Sequence, residues 1–66
     1  MKATVKDGNV DYHYEIIPDN GRYDIQYSGS IVGTIQKTNT WQQVSGAALP
    51  AEIFRQLVLY IEAYYD

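Results

Sequence analysis

The run Val10-Asp11-Tyr12-His13-Tyr14-Glu15-Ile16, the punctuation Pro18-Asp19-Asn20-Gly21 and the run Arg22-Tyr23-Asp24-Ile25-Gln26-Tyr27 together decide the fold. Both runs alternate with period 2. Val10, Tyr12, Tyr14 and Ile16 share one face of an extended chain, with Asp11, His13 and Glu15 on the other; Tyr23, Ile25 and Tyr27 then oppose Arg22, Asp24 and Gln26. Successive side chains of a strand point to opposite faces, so each run is a half-buried strand. Between them, proline presets φ and glycine takes the left-handed position, which predicts a four-residue loop and a hairpin.

Outward from this hairpin the alternation continues. Ser28-Gly29-Ser30 is a turn before a strand over Ile31–Lys37. A three-residue loop here buries Ile31 and Ile35, with Gly33 between them; a two-residue loop buries Val32 and Thr34 instead. Two isoleucines outweigh Val and Thr, so the first register is expected, with Gly33 marking a bend or a gap filled by Tyr23 or another cross-strand aromatic. Thr38-Asn39-Thr40 is a further turn before a short strand, Trp41–Ser45. On the other side, Lys2–Lys6 and the turn Asp7-Gly8-Asn9 add a first strand whose lysines suit an edge.

The period changes at Pro50, which fits the first position of a helix, with Glu52 complementing the helix dipole. Ile53, Phe54, Leu57, Val58, Tyr60, Ile61, Tyr64 and Tyr65 fill one wide arc at helical spacing. Glu52, Arg55, Gln56, Glu62, Ala63 and Asp66 lie opposite, and Leu59 sits among them as the exception. The helix is expected over Ala51–Tyr65. The fold class is therefore α+β: an antiparallel meander of four or five strands with one C-terminal helix packed on one face, a two-layer sandwich.

The 66 residues make one domain, 1–66, with no repeat or linker. A chain this short buries only about 60% of its unfolded surface. It has no cysteine, so neither disulfides nor a Cys-based zinc site support it, and packing or oligomerisation must. Its apolar stretches are too short and too mixed to span a bilayer, and the N-terminal residues lack a signal-peptide pattern, so the expected location is cytoplasmic. The net charge of −3 gives no general attraction to phosphate backbones.

Catalytic material is scarce. There is one histidine, and Ser28, Ser30 and Ser45 stand in no nucleophile-elbow context. Asp11, His13 and Glu15 project from one strand face at a spacing a metal can use, but a solvated sheet face is the expected reading, and a fourth ligand would have to come from Asp24 or a carboxylate of another chain. Gly29-Ser30-Ile31-Val32-Gly33-Thr34 lacks the lysine and the following helix that a phosphate loop requires. No enzyme, cofactor or metal is expected.

In strand count and order the expected fold resembles the compact single-stranded nucleic-acid-binding modules of the Pur-repeat or transcriptional-coactivator type. That resemblance implies a sheet face with aromatic platforms and a basic groove. The outward positions Asp11, Glu15 and Asp24 oppose only Arg22, with Lys2 and Lys6 on the edge strand, so nucleic acid is not the expected partner.

Two features point to protein contacts instead. Seven tyrosines accompany one phenylalanine and one tryptophan, so the core margin is built of amphipathic rings, the type enriched at interfaces. Between Ile25 and Ala51 the only charged residue is Lys37, which leaves the last hairpin without the usual protection against edge pairing. The sequence thus predicts a small non-enzymatic protein-interaction module, a homo-oligomer formed through this hairpin or the helix, with Trp41, Val44, Leu59, Tyr64 and Tyr65 as contact candidates. A sheet-face binder of single-stranded nucleic acid, or an inhibitor or adaptor of a larger protein, is the alternative.

Overall fold

The computed structural model describes residues 1–65. Strands β1 (Lys2–Asp7), β2 (Val10–Asp19), β3 (Arg22–Tyr27), β4 (Ser30–Lys37) and β5 (Trp41–Gly46) lie side by side in chain order, each antiparallel to the next. Helix α1 (Ala51–Tyr64) follows and packs on one face. This is the expected α+β meander, with five strands. Asp66, expected on the polar side of the helix, lies outside the described residues.

Three of the four hairpins close with two residues. Asp7 pairs with Val10 around Gly8-Asn9, and Asp19 with Arg22 around Asn20-Gly21. Tyr27 pairs with Ser30 around Ser28-Gly29. Asn20 and Gly21 both have positive φ, as do Ser28 and Gly29, which matches the right-handed twist of the flanking strands. The loop expected over residues 18–21 is therefore shorter, because Pro18 and Asp19 still belong to β2. Proline is tolerated there because β1 ends beside Ile16, whose backbone exchanges hydrogen bonds with Met1, and no strand adjoins β2 on that side at Pro18. The fourth hairpin keeps the expected three-residue turn, with Lys37 opposite Trp41.

The register of β4 departs from the expectation in an instructive way. The two-residue turn places Ile31 opposite Gln26, on the face away from the helix, and Ile31 is 58% exposed. A bulge at Val32 then resets the alternation, so that Gly33 opposes Ile25 and Ile35 is fully buried. One extra residue carries the strand from one register to the other. Ile31 is thus corrected from core to surface, while Ile35 keeps its expected place. Val10, at the far end of β2, is also exposed rather than inward.

The core lies between sheet and helix. Ala3, Val5, Tyr14, Ile16, Ile25 and Ile35 from the sheet meet Ile53, Leu57 and Ile61 from α1. The three helical residues are spaced by four, one stripe of a 3.6-residue period. Pro50 is the N-cap rather than the first helical residue, with its carbonyl accepting from the Phe54 N–H at 2.9 Å. A proline whose ψ is extended sits one position before the helix without loss, since the cap needs only its C=O.

Two glycines are required by close approach. A side chain at Gly33 would lie 2.8 Å from Nε2 of Gln43. The gap expected to take an aromatic ring is filled by this amide, which donates to the carbonyls of Ser45 (2.9 Å) and Ala47 (2.7 Å) and accepts from the Leu49 N–H (2.9 Å). Gln43 thereby ties the strand-to-helix connection to the sheet. Gly46 has φ +89°, and a Cβ there would collide with the backbone of Val32 and Gly33.

Candidate functional site

A five-stranded open sheet has two edges, and each presents a row of backbone donors and acceptors to solvent unless something covers it. The two edges here are finished differently. Along β1, helix α1 supplies the cover. The Lys6 N–H donates to Oε1 of Gln56 at 3.0 Å, and Nε2 of Gln56 donates to the Lys6 carbonyl at 2.6 Å. One turn on, the Tyr60 hydroxyl donates to the Thr4 carbonyl at 3.1 Å. Gln56 and Tyr60 are four residues apart, so they stand one above the other on the helix flank that faces β1.

The Gln56 amide is itself held. Nε2 also donates to Oε2 of Glu52 at 2.8 Å, and the Glu52 carboxylate pairs with Arg55. The Arg55 hydrogen bond, with Gln56 adding, holds the Glu52 carboxyl below its ordinary range, and the same contact raises Arg55. Lys2 and Lys6 were expected to protect this edge by charge; the side chains of the helix do so by hydrogen bonding.

The β5 edge has no such cover among the described residues. Outside its ladder with β4, the hydrogen bond that reaches its backbone is the one from Gln43 to Ser45, within the strand itself. The strand Trp41–Gly46 carries no charge. Val44 stands at a second bulge, between the pairs Ile35–Gln43 and Thr34–Ser45, and is 42% exposed.

The five contact candidates do not form one patch. Trp41 is half-buried: its ring meets Tyr23 at 6.0 Å, the Lys37 ammonium lies 5.6 Å from its centroid, and its indole N–H donates to Glu62 at 3.1 Å. It fastens β5 to the helix. Tyr65 also packs against Tyr23, at 5.5 Å between ring centroids. Tyr64 points away and stacks on Tyr60 at 6.2 Å with 19° between planes, so the adjacent pair divides between core margin and surface as its spacing required. Leu59 is 51% exposed on the outer side of the helix. Of the five, only Val44 belongs to the open edge without an internal partner.

The face of the sheet away from the helix holds a shallow groove of about 390 Å³, walled by Lys2, Thr4, His13, Glu15, Gln26 and the Ser28-Gly29 turn. Two of its polar contacts engage His13 and Glu15. Thr4 Oγ1 lies 3.3 Å from His13 Nδ1, and Glu15 pairs with the Met1 ammonium at 3.0 Å. Nearby, buried Thr34 donates to Asp24 at 2.9 Å. Among the described residues no three His, Asp or Glu side chains are placed to hold a metal ion, so Asp11, His13 and Glu15 share a face without converging. Among the described residues no helix is long and apolar enough to cross a membrane.

Residues that matter most to this arrangement, Gln56 and Tyr60, were read from sequence only as parts of the helix's polar and apolar arcs. Their signal lies in the four-residue spacing at the border between the two arcs, where a side chain reaches sideways to an edge. The chain matches no protein-family model, no curated protein and no solved structure.

Proposed function

We propose that the protein is a small non-enzymatic interaction module whose working surface is the β5 edge, where an extended protein segment adds as a further strand. The observation that carries this reading is the contrast between the edges: α1 occupies the backbone of β1 at Lys6 and Thr4, while β5 keeps an uncharged, uncovered rim. Strand addition draws affinity from main-chain hydrogen bonds and specificity from the side chains beside them. Lysine, proline and a covering element, three ordinary ways of blunting a sheet edge, are missing from β5, whose one interruption is the bulge at Val44.

The rest of the molecule supports a binding role over a catalytic one. The histidine is engaged with Thr4 and one carboxylate of the outer face with Met1. That face also mixes Asp11, Glu15 and Asp24 with Lys2, Lys6 and Arg22, so it offers no continuous basic track for a nucleic-acid backbone.

The test is titration of the ¹⁵N-labelled protein with an uncharged, Thr- and Val-rich extended peptide, reading amide shifts residue by residue. Changes confined to Trp41–Gly46, lost in Val44→Lys, are expected. Changes that map to β1 or to the groove at His13, or none at any concentration, would overturn the reading.

A further inference from the structure

We infer that the segment taken up at the β5 edge is β5 of a second copy of this chain, antiparallel, about a two-fold axis that passes between Gln43 and Val44. The inference rests on the β5-edge reading and adds the identity and register of the occupant.

The argument begins with faces. In a continuous sheet, residues directly opposite on neighbouring strands must point to the same side. Along β5, Trp41 and Gln43 face the helix: Trp41 touches Tyr23 and Glu62, and Gln43 lies opposite buried Ile35. Gln42 lies opposite Gln36, on the outer side. A strictly alternating strand of six residues, laid in full overlap on its own antiparallel copy, would set every inward residue against an outward one. The bulge at Val44 removes that conflict at the pairs on either side of the axis. Beyond it, Ser45 opposes Thr34, the partner of outward Asp24, and Gly46 opposes Gly33, which lies across from inward Ile25. From the two ends of β5, the faces now read inward, outward and outward, inward. Full overlap therefore pairs Trp41 with Gly46 of the second copy and Gln42 with Ser45, each on a common face.

Size and charge agree with this register. The largest side chain of the strand meets the one residue without a side chain, and this happens at both ends of the paired strands. No charge of either β5 faces another, since the strand has none. Gln43, next to the axis, already spends its amide on Ser45, Ala47 and Leu49, so it asks nothing of the partner. The exposed Val44 of each copy comes to the axis. A pair of six-residue strands buries less than the roughly 1,200 Å² of stable complexes, so the dimer is weak and concentration-dependent.

The absence of native cysteine makes the test direct. Gln42→Cys and Ser45→Cys both alter exposed positions on the outer face, and neither touches the core. Mixed and mildly oxidised, they are expected to give the mixed disulfide in excess over either homodimer, and Leu59→Cys is expected to give no enrichment with either. Amide shifts of the unmodified protein, followed over a hundredfold range of concentration, are expected to move within Trp41–Gly46. Equal cross-linking at all positions, or β5 amides that ignore concentration, would overturn the second copy as occupant. If the uncharged peptide still moves those amides, the edge reading stands and only the self-pairing falls; if neither does, both fall.

Discussion

The side-chain amide of Gln56 forms two hydrogen bonds with a single residue fifty positions earlier, accepting from the backbone N–H of Lys6 and donating to its carbonyl. A glutamine thus stands in for a missing neighbour strand at one residue of β1, since its amide offers the same donor and acceptor as a peptide unit. Gln56→Leu removes both bonds at an edge that water can reach, so a loss of about 1–2 kcal/mol is expected. Hydrogen exchange at the Lys6 amide should quicken by more than the global change. Gln56→Glu keeps the acceptor but turns a carboxylate oxygen toward Glu52 and the Lys6 carbonyl, so it is expected to lose at least as much as Gln56→Leu.

Leu57 is fully buried between Ile53 and Ile61 on the inner stripe of α1. Leu57→Ala is expected to cost about 2–5 kcal/mol, which approaches the whole stability of a domain this small. Leu59→Glu, two residues on and facing solvent, should leave stability within about 0.5 kcal/mol of the original. Urea denaturation of both variants, and the solution mass of Leu59→Glu against that of Val44→Lys, separates the helix from the edge. The mass distribution is expected to shift toward monomer only for the valine variant.

The glycines should rank by what surrounds them. Gly29→Ala meets open space at φ +81°, so it pays conformational strain alone, about 1 kcal/mol. Gly33→Ala displaces the Gln43 amide and weakens its three contacts. Gly46→Ala suffers both effects, a φ of +89° and backbone that cannot retreat, and is expected to lose the most, about 3 kcal/mol. Thermal midpoints in the order Gly29→Ala, Gly33→Ala, Gly46→Ala, from highest to lowest, would bear this out; any inversion of the first and last contradicts it.

Burial pushes the Tyr14 phenol above its ordinary value, and the nearby Tyr27 and Tyr12 phenols and Asp7 add to the shift. Tyr14 is 8% exposed and its ring lies 5.0 Å from that of Tyr27. The unfolded chain ionises this group near about pH 10 while the folded chain resists. Its contribution to stability is therefore intact below that pH and is lost as pH rises toward the folded value. Urea midpoints measured from about pH 8 to about pH 11 should fall on the alkaline side, and Tyr14→Phe should flatten that fall.

Much of the architecture was legible because it rests on short-range chemistry. Alternation placed Tyr14, Ile16 and Ile25 inward, and the helical period picked out Ile53, Leu57 and Ile61. Ile31 was misplaced because a bulge leaves no mark in composition: Ile31, Val32 and Gly33 satisfy two registers, and the turn at Ser28-Gly29 chose between them. Trp41 was read as a contact residue near an edge, yet its ring turns inward to Tyr23 and Glu62. Lys37, its cross-strand neighbour, is local, but Tyr23 and Glu62 come from β3 and α1, so no pattern around Trp41 announces them. The uncharged stretch after Ile25 did point to the edge that the helix leaves bare.

The seal on β1 also sets an order of events during synthesis. All five strands leave the ribosome before the helix that supplies Gln56 and Tyr60, and each hairpin can zip as it emerges, since every strand pairs with its neighbour in the chain. Until Ala51–Tyr64 follows, the nascent sheet has two bare rims and an uncovered apolar face. The sheet is thus most open to aggregation in the interval between its own formation and the docking of α1, which closes one rim and the apolar face together.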